Sequence, residues 1–151
     1  MSIDYTLTLA GSTPVEDVAL RALADGWKLS DLARRPPLWW NDRTSTLGFD
    51  VSVRAGTNGY LDAEADDGIW TWKPPAYVAV TFSPSRDADP DRVVPEMVTV
   101  VRRVLDTGPE DASFVMNGNW LLLRRTDGRL SRNRKSWWAH YPGAAEVIPD
   151  R

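Results

Sequence analysis

The residue best suited to acid–base chemistry is His140, the only histidine of the chain, within the ten-residue stretch NRKSWWAHYP (133–142). One histidine allows a serine–histidine–aspartate relay only with an arbitrary nucleophile, because no G-x-S-x-G elbow is present. Cysteine is absent, which removes disulfides and any thiolate-bound zinc or iron–sulfur centre. A histidine-rich metal site is excluded by the single histidine. Asp62, Glu64, Asp66 and Asp67 resemble the opening of a calcium loop, but the match then fails. The sixth position is Asp67 where glycine is needed, and the twelfth is Lys73 where glutamate is needed. Asp87, Asp89 and Asp91 read as acids at a helix start. Acids adjacent in one loop give no evidence of a carboxylate pair across a cleft, and no phosphate-cradling glycine loop occurs. The expected catalytic, cofactor and metal sets are therefore empty.

Eight tryptophans remain. Trp27 follows a helix and Trp120 begins a strand, so both are expected at the core or its edge. Trp39, Trp40, Trp70, Trp72, Trp137 and Trp138 lie beside proline or charge. They either plug the ends of a small sheet or anchor a partner, since Trp and Arg are enriched in interface hot spots. Stacking on a sugar or a single-stranded nucleic acid is a further option. Successive side chains alternate in an extended chain. One of Trp137 and Trp138 should then pack on the sheet and leave the other free. The stretch reads first as a structural clamp and second as an interface rim, with His140 outside any chemistry.

The elements that must position these residues follow from periodicity. Ile3, Tyr5, Leu7 and Leu9 alternate with polar residues, which predicts a strand. STPVEDVALRALADG predicts a helix with Thr13 as cap, Pro14 at its first position, Glu16 completing a capping box and Gly26 as its end. Prolines make 34–43 an irregular loop. Leu47, Phe49, Val51 and Val53 predict a strand, whose TNG exit suggests a hairpin into 60–65. A long loop covers 66–75, and a strand covers 77–82. DADPD opens a second helix, stopped at Gly108-Pro109, in which Pro95 marks either a start or a kink. Strands near 112–116, 120–126 and 129–132 are joined by Asn117-Gly118-Asn119 and Asp127-Gly128, and 133–151 is irregular. The order β-α-β-β-β-α-β-β-β predicts one α+β domain over 1–151, a mostly antiparallel sheet with two helices on one face. Leu7, Leu9, Val18, Leu23, Phe49, Val51, Val80, Val101, Phe114 and Leu122 form its expected core.

Net charge is −3, against a general nucleic-acid binder. The charge is uneven: 61–68 carries four acids and no base, whereas 120–135 carries six bases against Asp127. The amino terminus lacks the pattern of a signal peptide, and no apolar run reaches the ~20 residues that span a bilayer. Those two features predict a soluble, cytoplasmic protein.

Most of the chain resembles the immunity partners of swarming-inhibition (Sit) toxins and related actinobacterial proteins. The resemblance lies in IDYTLTLAG with its helix, in LGFDVSV, in the second amphipathic helix, and in FVMNGNWLLLRRTDGRLSRN followed by a tryptophan pair. It implies a non-enzymatic protein, without cofactors, that neutralises a cognate toxin by binding it. DDGIWTWKPP has no counterpart in the resemblance. Specificity for one partner commonly resides in such loops on a rigid scaffold. The expected partner-binding set is Asp62, Glu64, Asp66, Asp67, Trp70, Trp72 and Trp138, with the acids either mimicking phosphate to a basic toxin site or forming a solvated loop. The competing readings are a small enzyme with an unrecognised carboxylate or arginine site, and an RNA-binding module built on the basic hairpin and tryptophans.

Overall fold

The computed structural model describes residues 3–30 and 37–150. In chain order the elements are β1 (Tyr5–Ala10), α1 (Val15–Ala22), β2 (Lys28–Ser30), β3 (Leu38–Arg43), β4 (Phe49–Thr57), β5 (Leu61–Ala65), β6 (Gly68–Trp72) and β7 (Ala76–Pro84). They continue with α2 (Pro90–Asp106), β8 (Ala112–Met116), β9 (Trp120–Thr126), β10 (Arg129–Arg132), α3 (Lys135–His140) and α4 (Pro142–Val147). The strands form one sheet in the order β2-β3-β4-β7-β1-β8-β9-β5-β6, with β10 paired to β9. All pairings are antiparallel except a single parallel bridge between Glu64 and Trp120.

The period-two pattern of β1 places Tyr5, Leu7 and Leu9 on one face, level with Val78, Val80 and Phe82 of β7 and with Ala112 and Phe114 of β8. Phe49, Val51 and Val53 of β4 extend that face. Onto it pack α1, through Val18, Ala19 and Ala22, and α2, through a stripe from Val93 to Leu105. All ten expected core residues are buried there. The opposite face carries Ser52, Thr81, Thr6, Thr8 and Ser113, so the alternation is apolar in and hydroxyl out. The Asn117-Gly118 and Asp127-Gly128 turns have positive φ at both residues, the primed-turn geometry that their types favour.

Several sequence expectations are corrected. Residues 38–43 of the expected loop 34–43 form β3; residues 34–36 lie outside the described residues. Pro37 precedes the ladder, so no strand bond is lost to it. The TNG exit does not lead into a β4–β5 hairpin: β4 pairs with β7, from Phe49–Pro84 to Thr57–Ala76. The expected loop 66–75 contains β6, paired with β5. Thr13 does not cap α1; its hydroxyl donates to Glu110 Oε2 (2.9 Å), and α1 ends at Ala22, short of Gly26. Pro95 lies inside α2, which starts at Pro90 behind its cap, Asp89.

The segment 133–150 is not irregular, and the helices number four among the described residues. Arg134, at φ 59°, turns the chain from β10 into α3. In α3 the adjacent Trp137 and Trp138 lie about 100° apart around the helix axis, so both can face the core. Trp137 and Trp138 are therefore both buried, at 7% and 1% exposed. The expected division into one packed and one free tryptophan fails because the segment is helical.

Candidate partner-binding surface

The β5–β6 hairpin is an excursion of the connection between β4 and β7. Asn58, at φ 53°, turns the chain out of β4. The Asn58 N–H donates to Pro75 O (2.8 Å) and the Gly59 N–H to Pro74 O (2.9 Å), which close the base of the excursion. A side chain at residue 59 would place Cβ 2.9 Å from Pro74, so glycine is what lets the two strands of the base approach.

Alternation gives the hairpin two faces. Leu61, Ala63, Ala65 and Trp70 point inward and form a second apolar cluster with Val115 and Leu121 of the helix-free sheet face. Trp70 and Trp72 stack at 5.4 Å between centroids, and the Arg124 guanidinium lies 5.2 Å above Trp70. Outward point Asp62, Glu64, Ile69 and Thr71, with Tyr60 at the entry; Tyr60 and Ile69 are each 65% exposed. Asp62 accepts from the Thr71 hydroxyl (2.6 Å) and from the Tyr60 hydroxyl (2.9 Å). Those two bonds hold its carboxyl below the usual carboxylate range, Thr71 contributing most.

The four acids do not form one patch. Asp62 and Glu64 share the exposed outer face. Asp66 and Asp67 occupy the turn and are engaged within the chain. The Asp66 N–H donates to Asn133 Oδ1 (3.0 Å), and Asp66 Oδ1 accepts the Arg134 N–H (2.9 Å). Asp67 lies 3.8 Å from Arg124. Acidic 61–68 and basic 120–135, separate in sequence, meet here. Trp70 and Trp72 belong to this hairpin but face inward. Trp138 does not: it lies in the main core, its indole N–H shared between Leu122 O (3.1 Å) and Asn133 O (3.0 Å), and it cannot contact a partner from there.

Between the hairpin and the helix-free sheet face runs a groove of about 230 Å³, lined by Thr6, Thr8, Arg54, Trp72, Tyr77 and Ser113 among others. The buried Ser113 hydroxyl has no hydrogen-bond partner among the described residues. Two arrangements escaped sequence reasoning because each needs a cross-strand or long-range neighbour. Asp42 and Asp50 stand opposite each other on β3 and β4. Burial, then the neighbouring Asp42, pushes the Asp50 carboxyl up, whereas hydrogen bonds from Thr44 hold Asp42 down. Glu110 ties α1 to the chain after α2 through Arg21 Nη1 (2.6 Å) and Thr13. Burial opposes ionisation there, but the Arg21 bonds, the backbone and Thr13 outweigh it and hold Glu110 at about 2. His140 is exposed, its ring edge-on to Tyr141. Among the described residues no group of three or more His, Cys, Asp or Glu side chains is placed to hold a metal. No described helix is long and apolar enough to cross a membrane.

No curated protein and no solved structure matches the chain. A match to the SitI3-like family extends over residues 3–142, from the first core strand through both helices of the main face, the β5–β6 excursion and α3. The chain belongs to the SitI3-like family.

Proposed function

We infer that this protein is an immunity protein that binds a cognate bacterial toxin in the cytoplasm and neutralises it by occlusion, without chemistry of its own. Family membership over residues 3–142 is the observation that carries the reading. The outer face of β5–β6 is the docking surface that best suits it. Asp62 and Glu64 stand exposed beside Tyr60 and Ile69, a mixture of charge and apolar area typical of a specific interface. Asp66 holds that surface against the sheet, and Trp70, with Trp72 stacked on it, supports it from beneath. A toxin with a basic active site is the partner of matching charge; such complementarity speeds encounter and rejects wrong partners.

The test is to search the reading frames beside this gene for a toxin-like protein and to co-express it with this chain. The wild-type chain is expected to restore growth and to copurify with the toxin. Neutralising Asp62 and Glu64 together should slow association several-fold and flatten its salt dependence, with only a small drop in melting temperature from weakening the Thr71 and Tyr60 bonds to Asp62. A chain that neither protects nor copurifies would end the reading.

A further inference from the structure

The β6 strand lies at the end of the sheet order, and among the described residues β5 is its only paired neighbour. Exposed edges are normally blunted by charge, proline or a bulge. The strand Gly-Ile-Trp-Thr-Trp has none of these: it is uncharged, free of proline and in unbroken register with β5. The direction of its backbone groups follows from its partner. The Glu64 N–H donates away from β6, to Asn119 O (2.7 Å), so the Glu64–Ile69 pair exchanges no bonds within the hairpin. Bonded and unbonded pairs alternate in an antiparallel ladder. Ala63–Trp70 is therefore a bonded pair, and the N–H and C=O groups of Ile69 and Thr71 face away from β5, along the open edge.

We propose that the toxin docks by adding a β-strand to this edge, and that the added strand carries lysine or arginine at alternate positions. Backbone affinity comes from Ile69 and Thr71, as in other strand-addition interfaces. Sequence preference comes from the outer face. Side chains of the added strand on that face lie level with Ile69 and Thr71, and Glu64 and Asp62 stand one strand further in. Two strand spacings amount to about 10 Å, which a long basic side chain and a carboxylate span between them, across Ile69 for Glu64 and across Thr71 for Asp62. The inner positions of the added strand meet Trp70 and Trp72, so apolar residues suit them. The partner segment is thus an alternating basic–apolar strand. This deepens the immunity reading and depends on it for the identity of the partner, but not for the chemistry of the edge.

The test titrates the full chain with the acetylated, amidated peptide Lys-Val-Lys-Val-Lys-Val-Lys and follows amide hydrogen exchange by NMR. Exchange at Ile69 and Thr71 should slow at least about tenfold, with little change at Trp70, whose N–H is already bonded. The matching peptide with glutamate in place of lysine should leave both amides unchanged. Ile69→Pro removes one outward donor without touching a hairpin bond, and Ile69→Lys keeps the backbone but repels a basic strand. Both should fold and lose the peptide effect. If the lysine peptide leaves the Ile69 and Thr71 amides unprotected, strand addition is overturned. So it is if Ile69→Pro and Ile69→Lys both protect cells from the toxin as wild type does. Failure of the immunity reading looks different, because there the wild-type chain itself gives no protection.

Discussion

Trp137 and Trp138 show how one residue's role turns on its local backbone. As an extended pair they would face opposite ways; as helical neighbours they pack edge to face, 4.9 Å apart, under the same core. Trp138→Ala should therefore cost about 3–5 kcal/mol and Trp137→Ala a similar amount, both read as lowered midpoints in urea melts. A large loss from one and none from the other would restore the extended reading. Glu110 gives a second test. Its carboxyl is held at about 2 against 4.5 unfolded, so its contribution is fully present above pH 4.5 and is lost as pH falls through 2. Glu110→Gln should cost about 2–3 kcal/mol at neutral pH, and the gap to wild type should close steadily below pH 4.5. A constant gap from pH 7 to pH 2 would mean that shape, and not charge, is what Glu110 supplies. The capping box expected at Thr13 and Glu16 failed for the same reason: Glu110, 97 residues away, competes for that hydroxyl.

At the scale of elements, the β5–β6 hairpin separates what spacing reveals from what it conceals. Alternation in LDAEA and GIWTW was present in the sequence, yet the flanking acids and prolines made 66–75 read as a loop. The turn Asp66-Asp67 forms a hairpin because Asn133 and Arg134 receive it. Asp66→Ala should therefore lower stability by about 1–2 kcal/mol, since a bond to a charged acceptor is lost, whereas Asp62→Asn and Glu64→Gln should change it little. Thermal melts of the three variants check this, and equal effects would mean that the four acids act as one set. Proline scanning separates the backbone directions: Ile69→Pro should melt near wild type, and Trp70→Pro, which breaks a hairpin bond, should lose about 3 kcal/mol or more.

At the scale of the whole molecule, α1, α2, α3 and α4 share one apolar face, and the hairpin closes over part of the other. We expect 1–151 to unfold as one domain. Calorimetry should show a single transition with equal calorimetric and van't Hoff enthalpies; a separate low-temperature step would assign the hairpin its own stability. Phe49, fully buried and edge-on to Phe82 at 5.5 Å, sits within that shared core. Phe49→Ala should cost about 3–5 kcal/mol and shift the whole transition.

Strands β1, β4, β7, β8 and β9, the apolar stripes of α1 and α2 and the two primed turns were legible in the sequence. Each is set by residues within a few positions of one another, through period, turn chemistry or composition. The two short helices α3 and α4 were equally local and were masked by the basic run and Pro142. Strand order was not local. That β4 pairs with β7 rather than β5, that Asp66 is engaged by Asn133 and Arg134 while Asp62 and Glu64 face outward, and that β6 ends the sheet follow from contacts between distant segments. Only the folded chain, by choosing which edges to cover and which charges to bring together, decided those.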